Sequence, residues 1–422
     1  MKIDIAREMS VKILQHMEEK KSYSNIILDE YLNKNRDKLK YNDINLISEI
    51  VYGTICWKIT IDAIIEKYSK IPLKKISKWI LNILRIGIYQ IIFLDKIPKS
   101  AAVNESVNLS KKYGAKSSGF VNAILRKVEK KDYEEIEDFS KKYSIPQWLI
   151  NELKENYSNK ELENICKAFN IKPRTTVRIN LLKITKEEFI KKLKNNGIDF
   201  EETDEYEFLF LKIKNIANCE LYNEGYFTVQ DISAGMTAKI LKPNPGDIVL
   251  DACSAPGGKT THLAEIMKNY GEIYAWDLHK HRLNLVKQNA ERLGINIIQI
   301  EVKDASKKNE RLSNKFDKVL LDVPCSGIGV IKRKPDIKWQ RKKEDIEPII
   351  KTQKQILNVC SSYVKSGGYL LYSTCSILKK ENEGIVNDFI NKNNNWKIVE
   401  QYTILPNDNQ DGFFICKLIR ES

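Results

Sequence analysis

Eighteen consecutive apolar residues occur nowhere in this chain, which excludes a simple membrane-spanning helix. The stretch "MKIDIAREMSVK" has no apolar signal core, so a cytoplasmic protein is expected. Eight cysteines are present, at 56, 166, 219, 253, 325, 360, 375 and 416, but no two form a CxxC pair. The four histidines complete no Cys/His ligand block, and no metal is expected. Disulfides are disfavoured in a reducing cytosol. Repeats and low-complexity tracts are also lacking. Acidic residues are in deficit: 56 Asp and Glu face 70 Lys and Arg, a formal charge of +14 that points to a polyanionic partner.

The chain has 422 residues, enough for two or three domains with proper cores. Residues 1 to about 140 carry apolar positions at helical spacing, as in "DIAREMSVKILQHMEEK" and "KWILNILRIGIYQIIFL", and predict a helical bundle. Residues 141–230 predict a connector followed by a small α+β unit, with a strand at 176–181 and a helix at 185–195. From 231 to 422 strands alternate with helices, the strands at 247–251, 272–276, 296–302, 317–322 and 367–373. That alternation predicts a parallel sheet covered on both faces, with "GFFICKLI" (412–419) as its last strand.

Three stretches of this α/β part carry chemistry. "VLDACSAPGGKTTHLAE" (249–265) joins a strand to a helix through Gly257 and Gly258, where a backbone can approach a ligand. A P-loop would need glycine at 253, where Cys253 stands. Asp277 ends the next strand, where an acid binds ribose hydroxyls; nicotinamide dinucleotides and S-adenosylmethionine both fit this pattern. "FDKVLLDVPCSGIGVIKRKPDIKW" (316–339) places Asp322, Pro324 and Cys325 just past the fourth strand. "LLYSTCSI" (370–377) places Cys375 at the end of the fifth. With metal and disulfide set aside, packing and nucleophilic chemistry remain for Cys375. In a sheet ordered 3-2-1-4-5 the fourth and fifth strands are neighbours, so two thiols and an acid face one cleft. Methylation of cytosine at carbon 5 needs that inventory: a thiolate that adds to carbon 6, an acid at ring N3, and a group that removes the carbon 5 proton for release.

"DACSAPGGKT", "DVPCSGIG" and "YSTCS" resemble the methyl-donor, proline-cysteine and threonine-cysteine motifs of RNA cytosine-5 methyltransferases. "LISEIVYGTICW", "LRIGIYQIIFL" and "AVNESVNLSKKYG" resemble the NusB-type RNA-binding domain. Joined in this order, they resemble the bacterial 16S ribosomal RNA cytosine-C5 methyltransferases of the Sun/Fmu type over nearly the whole chain. The resemblance implies a NusB-like all-α bundle, a small α+β segment and a Rossmann-like α/β methyltransferase sheet. It implies methyl transfer from S-adenosylmethionine to a cytosine of 16S ribosomal RNA, cytosine 967, through a cysteine adduct. It assigns the cofactor to Cys253, Ser254, Ala255, Pro256, Gly257, Gly258 and Lys259, with Asp277, Asp304 and Asp322. Cys375 becomes the nucleophile, Cys325 the residue aiding product release, and Asp322 also the acid at N3. DNA cytosine-5 enzymes use the proline-adjacent cysteine instead, so the two roles remain exchangeable.

Residues 332–343 hold seven basic residues against Asp336, and Lys332, Arg333, Lys334 and Trp339 are expected to form an RNA-binding lip. A monomer is expected. The rival readings are a cytosine-5 methyltransferase of tRNA or another rRNA, and a non-catalytic RNA-binding or antitermination protein. A nucleotide-dependent oxidoreductase leaves the two thiols unexplained.

Overall fold

The helix Lys78–Phe93 is apolar almost all round, and thirteen of its residues, Ile80 to Ile92, are buried, which makes it the axis of a helical unit. Ser77 caps its start by accepting from the Ile80 N–H. Its one buried cation, Arg85, is forked onto Asp62 at 2.7 and 2.9 Å and reaches Glu18 at 2.7 Å. The computed structural model describes residues 3–20, 24–213 and 215–421. It divides into one unit made of Met1–Asn170 with Lys334–Lys342 and a second made of Ile171–Arg333 with Lys343–Ser422. The helical unit therefore runs past the expected boundary at 140. The helices Phe139–Tyr143, Gln147–Lys154 and Asn159–Ala168 belong to it rather than to a connector.

Lys334–Lys342, expected in the α/β part, also belongs to the helical unit. There the Lys338 ammonium donates to the Cys56 carbonyl (3.0 Å) and Asn170 Oδ1 (2.7 Å), and the Trp339 indole donates to the Ile55 carbonyl (2.9 Å).

The second unit holds two sheets. The smaller contains β1 (Thr176–Ile179), β2 (Phe200–Glu202), β3 (Phe208–Leu211) and β4 (Phe227–Val229), in the antiparallel order β2-β3-β1-β4. The larger contains β5 (Ile248–Asp251), β6 (Glu272–Asp277), β7 (Ile298–Val302), β8 (Phe316–Asp322), β9 (Val364–Thr374), β10 (Trp396–Ile404) and β11 (Phe413–Arg420). Its order is β10-β11-β9-β8-β5-β6-β7. The strands β5 to β9 are parallel and follow the expected doubly wound arrangement, with Leu250, Ala275, Leu320 and Leu371 fully buried. The carboxy-terminal strand β11 is not the edge: it lies between β9 and β10 and is antiparallel to both. β10 is an edge strand with one buried residue, Trp396, so it has no apolar face for the sequence to advertise.

One buried cation links the small sheet to the glycine loop of the large one. Arg178 on β1 is wholly buried; it forks onto Glu265 at 3.0 and 2.7 Å and donates to the Gly258 carbonyl and Thr261 Oγ1. Burial pushes the Glu265 carboxyl up even though Arg178 opposes that shift. Glu265→Leu leaves the guanidinium buried without its counter-charge and is expected to cost about 3–5 kcal/mol in denaturant unfolding. The double variant Arg178→Met/Glu265→Leu removes the stranded charge and should recover most of that loss. A double variant as unstable as the single one contradicts this account.

Candidate active site

The strand β5 ends at Asp251, the chain turns through 252–257, and the helix Gly258–Ile266 begins. Gly257 is the pivot. Its φ is +104°, and a Cβ there would stand 3.0 Å from the Val286 backbone, so only glycine fits without strain. Ser254 pins the loop to β6 by donating its N–H and hydroxyl to the Trp276 carbonyl at 2.8 and 2.9 Å. Asp277, at the end of β6, is buried; it accepts from the His279 N–H at 3.0 Å and pairs with Arg282 at 3.2 Å. Arg282 also donates to the Ala255 carbonyl, which ties this acid to the loop.

A cavity of about 190 Å³ opens beside the loop. Its lining includes Cys253, Ser254, Ala255, Pro256, Gly258, Lys259 and Asp322 from the expected cofactor set, but not Gly257 or Asp277, together with Gln230 and Asp251. Asp251 is wholly buried, with Oδ2 accepting from Thr260 at 2.7 Å and Oδ1 without a partner among the described residues. Burial, reinforced by the nearby Asp322, raises its carboxyl to about 7. Gln230 is half satisfied as well: its Oε1 accepts from Arg178, and its buried Nε2 has no partner among the described residues. Asp304 lies apart from this lining; its carboxylate accepts from the Ser306 N–H and hydroxyl, which lower it.

On the other side of Asp322 lie the cysteines. Asp322 Oδ2 pairs with Lys259 at 2.7 Å, and Oδ1 accepts from Ser373 at 3.2 Å. Burial works against the Lys259 ammonium, but Asp322 opposite, with a smaller contribution from Cys375, holds it up. The register of β8 and β9 sets Asp322 across from Ser373. Three residues beyond one and two beyond the other, the Cys325 and Cys375 sulfurs stand 3.0 Å apart. The Cys375 sulfur and burial push the Cys325 thiol well above its ordinary range. Two thiols this close hold at most one negative charge cheaply.

Sequence reasoning missed the group behind these sulfurs. Glu381 is fully buried and accepts hydrogen bonds from the residues that follow both cysteines, Ser326 and Ser376. It stands in "KKENEG", which reads as a solvated charged run. Gly329 is the second constraint on these loops: it donates to the Cys375 carbonyl at 3.0 Å, and a Cβ would meet the Gly412 carbonyl oxygen at 2.1 Å.

The basic lip expected at 332–334 is mostly spent inside the fold. Lys332 is 6% exposed and donates to the Asn407 and Gln410 carbonyls at 2.8 and 2.7 Å, with Asp411 at 3.4 Å. Arg333 pairs with Asp411 at 2.6 Å and with Asp231 at 2.7 Å. Lys334 is exposed, and half-buried Trp339 packs within the helical unit. The acids that hold these cations lie about 80 and 100 residues away in the chain, so a local charge count cannot register them.

Residues 238–419 match the family described as 16S rRNA methyltransferase RsmB/F, 4–130 the NusB family, and 145–211 the ferredoxin-like domain of RsmF/B-like methyltransferases. A probable ribosomal RNA small subunit methyltransferase B of Bacillus subtilis (strain 168) is 35% identical over 446 aligned positions, covering 99% of each chain. The ribosomal RNA small subunit methyltransferase B of Pasteurella multocida (strain Pm70) is 34% identical, covering 96% of this chain and 94% of its own. Among solved structures, PH0851 matches with a TM-score of 0.81 at 28% identity, covering 100% of both chains.

Lys332→Gln leaves Arg333 alone to balance both Asp411 and Asp231 and the Asn407 and Gln410 carbonyls without their ammonium, and is expected to lower stability by about 2–4 kcal/mol in denaturant unfolding. Lys334→Gln should stay within about 0.5 kcal/mol of the parent. Equal, small effects of the two changes contradict the internal role of Lys332.

Proposed function

The chain belongs to the ribosomal RNA small subunit methyltransferase B family, and from that premise we propose that it methylates carbon 5 of a cytosine in 16S ribosomal RNA. Cytosine 967 is the position the resemblance selects. The observation that carries the cytosine chemistry is the pair of sulfurs 3.0 Å apart, beside the Lys259–Asp322 pair and the glycine loop.

The residues present suit S-adenosylmethionine. Asp251 Oδ1 and Gln230 Nε2 are buried, unpartnered and in the lining of one cavity, as an amino acid moiety requires: one acceptor for the ammonium and one donor for the carboxylate. Asp277 suits the ribose hydroxyls, and residues 253–259 frame the rest; Asp304 completes the set by resemblance. Bound there, the cofactor supplies an electrophilic methyl group.

The protein's own groups do the remainder. Cys375, as thiolate, bonds to carbon 6 of a cytosine turned out of its stack. A proton passes to ring N3 from the Lys259–Asp322 pair, Asp322 handing it on and the Lys259 ammonium supplying it, and carbon 5 becomes nucleophilic. Once Cys375 is bonded to carbon its negative charge is gone, and the repulsion that kept Cys325 protonated is relieved. Cys325 then releases its own proton to solvent, its thiolate removes the carbon 5 proton, the sulfur–carbon 6 bond breaks to return Cys375 as thiolate, and N3 returns its proton.

Bisulfite sequencing of 16S rRNA from a deletion strain tests the assignment; an unchanged methylation map overturns it. Cys375→Ala is expected to abolish both methylation and the covalent RNA adduct. Cys325→Ala should let addition proceed and stall release, so that an adduct resistant to denaturing gels accumulates. An adduct that persists in Cys375→Ala and vanishes in Cys325→Ala would exchange the two roles.

The cofactor site carries a pH signature. Below pH 7 Asp251 is protonated in the free protein and must lose that proton to accept an ammonium; from pH 7 to about 8, where the ligand's own amino group begins to lose its proton, no proton moves. Affinity for S-adenosylmethionine is therefore expected to rise by up to about tenfold per pH unit below pH 7 and level off above it. Calorimetry in buffers of different ionisation enthalpy reads the proton directly. Asp251→Asn should remove the slope, and a slope that survives the change refutes the placement.

A further inference from the structure

We infer that Glu381 is the positioning residue that sets the two cysteines against each other, and that each serine beside a cysteine transmits its hold to one chemical step. This rests on the cytosine reading for the steps, though not for the geometry.

Neither cysteine is held by the sheet itself, because both lie beyond the strand ends. Glu381 supplies the missing restraint from behind. Its Oε1 accepts from the Ser326 N–H at 2.8 Å and from Gln353 Nε2 at 3.2 Å. Its Oε2 accepts from the Ser326 and Ser376 hydroxyls, each at 2.5 Å. Gln353 also donates to the Pro324 carbonyl at 3.0 Å, so the residue before Cys325 is tied to the same carboxylate. The two hydroxyls stand 3.1 Å apart on one oxygen, directly behind sulfurs 3.0 Å apart. The spacing of the serines and that of the sulfurs are thus set together. The remaining strand-end groups are pinned nearby: Tyr372 donates to the Glu381 carbonyl at 2.7 Å, and Thr374 to Asn382 at 2.6 Å.

A wholly buried carboxylate persists only when its lone pairs are met, and here four donors meet them. An apolar side chain of the same volume would fill the space but could not fix two loops at one distance. The charge does not touch the reacting atoms; it acts through Ser326 and Ser376.

The test uses the full-length protein with Glu381→Gln, Ser326→Ala and Ser376→Ala. The first readout needs no RNA: diamide oxidises the Cys325 and Cys375 thiols to a disulfide, the two electrons and two protons passing to the diazene. Glu381→Gln puts an amide N–H₂ against hydroxyl or N–H donors and is expected to slow that closure about tenfold, because the sulfurs lose their enforced proximity. It should lower methylation kcat about 100-fold while leaving KM and cofactor affinity unchanged. Should Glu381→Gln fail to fold, the serine variants carry the test. Ser376→Ala slows adduct formation, whereas Ser326→Ala slows adduct resolution, so adduct accumulates only in the latter.

Disulfide closure and kcat at parental values in the folded variants overturn the proposal and leave the cytosine reading standing. Identical effects of the two serine changes also overturn it. Slower closure in a protein that forms no adduct with any RNA upholds the positioning role and removes the cytosine reading instead.

Discussion

Hydrogen bonding between β8 and β9 places Asp322 across from Ser373, and the chemistry of the site is counted from that register. A parallel pair carries its neighbours about 4.8 Å apart, so two short extensions from adjacent carboxyl ends stay within reach of each other. "VPC" extends one strand and "TC" the other, and the sulfurs meet at 3.0 Å. A slip of one residue would turn Asp322 away from Lys259 and carry Cys375 to the opposite face. The register is well protected, since Val319, Leu320, Leu370 and Leu371 are completely buried and cannot be shifted without exposing apolar surface.

Charge then decides what the pocket can do. Lys259 is the cation between two demands: Asp322 neutralises it at 2.7 Å, and the Phe413 ring lies 5.0 Å from its ammonium. Asp322 is further bonded to Ser373, so its carboxylate is fixed in direction as well as in charge. Asp251, one strand over, is wholly buried, and burial raises its carboxyl, with Asp322 adding to the rise and Lys259 only partly opposing it. The two acids thus differ in environment rather than type, one suited to an ion pair and the other to a ligand's ammonium.

Much of this frame was legible in the chain. Strand–turn–helix punctuation located 253–259, alternation gave the parallel sheet, and the doubly wound order made neighbours of the two cysteine-bearing ends. Most of the pieces that escaped share one physical cause: their partners are distant in sequence. Arg178 and Glu265 are 87 residues apart, and Arg333 and Asp231 are 102 apart. Lys332 reads as a phosphate-binding lysine until Asp411 and two carbonyls are found around it. Glu381 reads as a surface acid because its donors come from two loops, one of them 55 residues upstream. β10 was hidden for the opposite reason, having too little burial to leave an apolar rhythm. The stretch at 140–157 reads as a connector with a helix start near Pro146, and periodicity does not say which body such a segment joins.

The buried charges of this unit separate into those that build and those that wait. Arg178 is matched by a forked carboxylate and further acceptors, and Glu381 is matched by four donors. Each is complete within the protein, and a ligand could only displace what is already there. Asp251 is different, because one oxygen is satisfied by Thr260 and the other has no hydrogen-bond partner among the described residues. An unmet buried acceptor carries a desolvation cost of about 1–3 kcal/mol that a donor from outside can recover. Gln230 offers the complementary unmet donor in the same cavity, its other end locked by Arg178. The structural cation therefore does more than join two sheets: by occupying the Gln230 oxygen it leaves the amide's N–H₂ unpartnered in that cavity, where an anionic ligand group can meet it.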